Sequence, residues 1–126
     1  MENPRLNIEQ QRAKFAFDHR TSKLSSNYDA MVKKLPAYVQ TNGFVYAMAF
    51  LAEKDKGVFE TIWKWHCNSS ENTMKLPALN GISKGNFLPV LINLEDEKIR
   101  LITMETLALF TWLRRFVDDE KATEQS

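Results

Sequence analysis

Apolar residues recur along this chain at helical spacing, and nowhere does an apolar/polar alternation last long enough to make a strand. The densest stretch runs from Leu35 to Leu51. Its second half, Phe44 to Ala52, is apolar on every side, and a helix without a polar face has to be covered by neighbours all round. A buried helix is therefore expected at the centre of the fold, with the Phe50 ring in the core. Leu35-Pro36 reads as the start of the helix before it, since proline suits a first turn where its missing N–H is no loss. Asn42-Gly43 then supplies either a left-handed C-terminal cap or an Asn N-cap for the next helix. Roughly nine apolar residues are far too few to span a bilayer, so the stretch belongs to a small folded domain.

The flanking segments follow the same period. Asn3-Pro4 or Asn7 starts a helix that runs to about Lys23 or Leu24, where Ser25-Ser26 interrupts it. At about 100° per residue, Ile8 and Phe15 form one apolar edge of this helix and Leu6, Ala13, Phe17 and Leu24 another, with Arg5, Arg12, His19 and Lys23 aligned between them. Ser26-Asn27-Tyr28-Asp29 has the form of a capping box with Asp in place of Glu, opening a short helix that Lys33-Lys34 closes. After the central helix, Glu53 to Gly57 reads as a solvated turn and Val58 to Asn68 as another helix. Residues 68–86, with Pro77, Gly81 and Gly85, form the least regular part, pinned by Met74, Leu76, Leu79 and Ile82. Phe87 to Leu94 makes a short helix with Pro89 in its first turn. A long helix from Asp96 to about Glu120 carries a stripe of Ile102, Thr106, Leu109, Leu113 and Phe116, and a polar tail starts at about 122.

Composition narrows the class. With 126 residues, 44% of them hydrophobic, the chain can build one compact core and is too short for two ordinary domains. Four Gly, four Pro and a majority of strong helix formers specify an all-α fold: a single compact bundle of about six or seven helices over residues 1–126. One Cys excludes an internal disulfide, and no apolar export segment follows Met1, which suits a reducing cytoplasm. The net charge of +1 does not announce a nucleic-acid binder, yet the charge is unevenly placed. Met1 to Lys34 holds seven Lys/Arg against four Asp/Glu, whereas Glu95 to Ser126 holds five against eight.

Two blocks carry a resemblance. Leu35-Pro36, a short helical spacer, Asn42-Gly43 and then the Ala/Phe-rich helix through Phe50 resemble the signature of the small subunit of the type III-B (Cmr) CRISPR effector complex. Near the C-terminus, Glu105-Thr-Leu-Ala-Leu-Phe-Thr-Trp112-Leu113-Arg114-Arg115-Phe116 resembles that family's Glu-Ala-Leu and Trp-Leu-basic-Arg-Phe ending. Phe44 stands where the family usually has Leu, and Thr106 where it usually has Ala. The resemblance implies a small all-helical, non-catalytic subunit. Its copies line the ribonucleoprotein filament, packing on the backbone subunits that hold the guide RNA and helping to form the channel for target RNA, with the large subunit as a further partner. It also implies several copies in the complex, while the covered central helix and the lack of a long apolar strand edge make the isolated chain a monomer.

Independent chemistry is sparse. His66-Cys67 are neighbours on a helix and point about 100° apart, which is poor geometry for a nucleophile and its base. His19, His66 and Cys67 offer no zinc spacing, and no glycine-rich phosphate loop occurs, so neither a metal nor a cofactor is expected. Trp63 and Trp65 invite base stacking, but at most one of two such close positions faces the core squarely. The residues that point toward RNA are the cations of the first third: Arg5, Arg12, His19, Lys23, Lys33 and Lys34. The alternative reading is a helical protein-protein adaptor with no role at nucleic acid.

Overall fold

A computed structural model of the chain describes residues 6–69, 72 and 76–125, the stretch from 118 by its backbone alone. Every element among them is helical: α1 (Ile8–Asp18), α2 (Tyr28–Asn42), α3 (Phe44–Lys54), α4 (Lys56–Cys67), a 3-10 turn (Pro77–Leu79), α5 (Lys84–Ile92) and α6 (Asp96–Gln125). The all-α bundle expected from periodicity is what forms. α6 is the spine on which α1 and α2 lie, and α3 touches α2, α4, α5 and α6. Its inward stripe follows the expected line, with Ile102, Thr106, Leu109 and Leu113 buried and Phe116 partly so. The backbone stays helical past residue 122, where a polar tail was expected.

Of the two candidate starts for the first helix, Asn3-Pro4 lies outside the described residues, and Asn7 is the cap. The Gln10 N–H donates to Asn7 Oδ1 at 2.8 Å while the Asn7 N–H donates to Gln10 Oε1 at 3.0 Å, a reciprocal capping box. The helix ends at Asp18, five residues before the expected Lys23, because tertiary contacts claim the next turn of the chain. The Tyr28 hydroxyl donates to the His19 carbonyl, and the Ser25 hydroxyl bonds the Asp55 carboxylate. Lys23 therefore sits in a turn and leaves the line of cations drawn on a longer helix.

Leu35-Pro36 does not begin a helix. α2 runs unbroken from Tyr28 with Pro36 inside it, and the box expected at Ser26 is replaced by Asn27 without a side-chain cap. An interior proline costs about 3 kcal/mol. Tyr28, Val32, Leu35 and Val39 form one buried stripe through that point, and burying each aliphatic side chain contributes roughly 1.5–3 kcal/mol, so packing outweighs the local penalty. Lys33 and Lys34 consequently lie in mid-helix rather than in a last turn. Pro89 is likewise interior, the sixth residue of α5, since that helix starts at Lys84 instead of Phe87.

The break at Asn42-Gly43 is real and falls on the glycine. Gly43 has φ 90° and ψ 158°, a backbone conformation open almost only to glycine, and it ends α2 and begins α3 in one residue. α3 is central but not covered all round. Phe44, Ala47, Met48 and Leu51 make its buried stripe, whereas Tyr46 is 62% exposed and Phe50 only half-buried. A bundle this small has too few neighbouring helices to enclose an apolar helix completely. The solvated turn expected at Glu53 to Gly57 is instead a single residue, Asp55, which is buried and caps α4 through the Val58 N–H at 3.1 Å.

The stretch after α4 is irregular, as its Pro and Gly content predicted. Leu79 is fully buried, Leu76 and Ile82 pack partly on the core, and the Gly81 N–H returns to the Cys67 carbonyl at 2.9 Å. Met74 lies outside the described residues.

Candidate functional site

The cations of the first third occupy different situations. Arg5 lies outside the described residues. Arg12 is joined to Glu105, 93 positions along the chain: its Nε donates to Oε2 at 2.8 Å and its Nη2 to Oε1 at 2.7 Å. This side-on fork uses one edge of the guanidinium, and the hydrogen bond to Glu105 raises the Arg12 pKa above its ordinary value despite partial burial. The His19 ring stacks on Phe15 at 3.9 Å, and its Nδ1–H donates to the Phe15 carbonyl at 2.8 Å. Lys23 and Lys34 are exposed and Lys33 is half-buried. Arg12, committed to Glu105, brings no uncompensated charge to a ridge.

Glu105 is the residue whose role sequence reasoning missed, although it stands in the C-terminal block. Besides the Arg12 fork, its Oε2 accepts the indole N–H of the fully buried Trp65 at 3.1 Å, so one carboxylate ties α1 and α4 to α6. One helical position on, the buried Thr106 hydroxyl donates to the Ile102 carbonyl at 2.8 Å, and the His66 Nε2–H donates to that hydroxyl at 2.7 Å. Burial lowers the His66 pKa to about 3, so the imidazole is neutral at pH 7. A cleft of about 300 Å³ opens beside these groups, lined by Arg12, His66, Leu76, Ile102, Glu105 and the exposed pair Leu101 and Met104. Cys67 is buried in the core, apart from this cleft. Among the described residues no three His, Cys, Asp or Glu side chains gather to hold a metal ion. No helix of the described chain is long and apolar enough to cross a membrane.

The two tryptophans divide as helix geometry requires. Trp65 faces the core, and Trp63 is half-buried with its N–H on the Ile82 carbonyl at 2.8 Å, tying the irregular segment to α4. The residues of the two sequence blocks also separate by role. Leu35 and Leu113 are core, Pro36 is half-buried inside α2, Gly43 is the break, and the Asn42 side-chain amide donates to the Tyr38 carbonyl at 3.3 Å. Trp112 and Phe116 stack at 6.0 Å, and Phe116 meets Phe17 of α1 edge-on at 5.4 Å, under the Arg20 guanidinium that lies 4.0 Å from the Phe17 centroid. Arg115 is exposed beside this seam.

A family model described as CRISPR-associated protein (Cas_Cmr5) matches residues 8–120. A comparison with curated proteins and one with solved structures found no match.

Proposed function

Because the chain belongs to the Cas_Cmr5 family of CRISPR-associated proteins, we propose that it is the non-catalytic small subunit of a type III-B RNA-guided effector complex in antiviral defence. In this reading copies of the subunit pack along the filament of backbone subunits, beside the large subunit, and help to form the channel for target RNA. The observation that carries it is the family match over nearly the whole chain. The chemistry of the side chains supports the non-catalytic part. The imidazole that lines the cleft is buried and engaged by Thr106, and the Glu105 carboxylate there is committed to Arg12 and Trp65, so among the described residues of this cleft neither is set as a free base beside a nucleophile. We further assign the protein to the cytoplasm, as a single folded domain that is monomeric when isolated.

Base pairing with the guide selects the target in such complexes, so this subunit needs only shape and scattered cations along the strand. Lys23 and Lys34 are the exposed cations of the first third that suit this role, with Arg5, His19 and Lys33 as further candidates. Co-purification of a tagged copy from its native host should return the backbone and large subunits with guide RNA. In the assembled complex, Lys23→Glu with Lys34→Glu should leave assembly intact, lower target-RNA retention and reduce the log–log salt slope by about 1.4 for two single-strand phosphate contacts. Lys56→Glu is the control, because a carboxylate in the first turn of α4 is favourable to the helix. A tagged copy that returns proteins but no RNA, with unchanged retention in the double variant, favours the adaptor reading.

A further inference from the structure

α2 and α3 fold back on one another at Gly43, and the outer face of this hairpin carries three aromatic rings. Tyr38 is the middle one. Its ring lies 4.9 Å from Phe50 at an interplanar angle of 30° and 6.3 Å from Tyr46 at 29°, so the three make a near-parallel ladder. They do not belong to the inward stripe of α3, and Tyr46 stands largely in solvent. Their neighbours on the surface, Ala37, Thr41 and Ala49, are exposed and small, which keeps the face open. Away from Gly43 both helices run on to a lysine: Lys34 lies one turn before Tyr38 on α2, and Lys54 one turn after Phe50 on α3. Both are exposed, and neither pairs with a carboxylate among the described residues. Glu53, seven residues beyond Tyr46, is the acid that shares the face, leaving it net positive by one.

We propose that the solvent-facing Tyr46 ring, held at the end of this ladder by Tyr38, is a stacking platform for a base of single-stranded RNA. The inference rests on the reading that this subunit meets RNA in its complex, and it says where and by which chemistry. Every base has a π-face that stacks on Tyr or Phe regardless of sequence, which suits a strand selected by pairing elsewhere. The two lysines stand one helical turn beyond Tyr38 and Phe50, where a strand running along the ladder from Tyr46 brings its next phosphates. A protein partner fits less well, because the cores of protein interfaces are depleted in lysine and seat their aromatic anchors in pockets, and this face is open.

The test uses the purified chain and the assembled complex, with single-stranded RNA carrying 4-thiouridine and a duplex of the same length. Photocross-links should map to Tyr38, Tyr46 or Phe50. Tyr46→Ala should weaken single-strand binding about tenfold, the loss of one base stack, while Tyr46→Phe keeps it. Duplex RNA, whose base faces are already covered, should bind the wild-type chain no more tightly than Tyr46→Ala binds the single strand. Cross-links that map elsewhere, with Tyr46→Ala binding like wild type, overturn the platform and leave the RNA role standing. Absence of cross-links anywhere in the chain, in the assembled complex, overturns both. Loss of the Tyr46→Ala subunit from the complex makes the face a protein contact and also overturns the platform.

Discussion

Glu105 shows how one side chain can bind three helices while most of its charge is spent internally. Its carboxylate is only partly exposed, and each of its oxygens accepts at least one hydrogen bond, from Arg12 or Trp65. Removing it leaves the guanidinium fork and a buried indole N–H without an acceptor, and each buried unsatisfied donor costs about 1–3 kcal/mol. Glu105→Ala should therefore lower the unfolding free energy in urea by about 2–4 kcal/mol, the donor penalties reduced by partial solvation of the guanidinium. Glu105→Gln, which keeps a carbonyl oxygen for one donor, should lose less. Equal losses in the two variants would show that shape rather than hydrogen bonding sets the contribution. The same pairing makes Arg12→Glu unsuitable for probing RNA, since it would set two carboxylates against each other.

At the scale of the helix, the α2–α3 corner separates backbone from side-chain requirements. A Cβ on Gly43 meets nothing within 4 Å, so any cost of Gly43→Ala comes from its positive φ alone. That cost should be about 1–3 kcal/mol, and a neutral outcome in denaturant titration would mean that the corner can be made by another backbone conformation. The exposed side of α3 revises what Phe50 contributes. A fully buried phenylalanine truncated to alanine costs about 3–5 kcal/mol, and Phe87, with no exposed surface, should reach that range. Phe50→Ala should cost about half as much, because its ring keeps one side on Tyr38 and the solvent. Calorimetric melting of the two variants side by side checks the ordering.

Across the whole molecule, the buried imidazole makes stability depend on pH in one direction. His66 is neutral when folded down to about pH 3, whereas in the unfolded chain it takes up a proton near pH 6.5. The unfolded state binds more protons between these values, so stability is complete above pH 6.5 and falls as the pH drops. From pH 7 to pH 5 the imidazole alone should remove about 2 kcal/mol, at about 1.4 kcal/mol per pH unit. Glu60, held below its ordinary pKa chiefly by its hydrogen bond from Lys84, adds its own loss only toward pH 4 and below. His66→Gln can still donate to Thr106 but does not titrate, and its stability should be flatter between pH 7 and 5 by that amount. Parallel curves for the two proteins would show that the imidazole is not held neutral.

The features written in the chain itself are those a helix settles within a turn or two. The stripe of Ile102, Thr106, Leu109 and Leu113, the Asn7 cap, the break at Gly43 and the division between Trp63 and Trp65 all follow from residues near each other in sequence. Family membership was legible for the same reason, since the two blocks that carry it are each local. Tertiary structure decided the rest. α1 stops at Asp18 because Tyr28 and Ser25 hold the next turn, and α2 continues through Pro36 because its buried stripe finds α6 to pack on. Arg12 became a structural ion pair because its partner lies 93 positions away on a helix whose neighbour the local pattern does not name. Periodicity states which face of a helix seeks cover. Which helices supply that cover, and which apolar face of α3 is left in water, depends on how few neighbours a chain of this size can place around it.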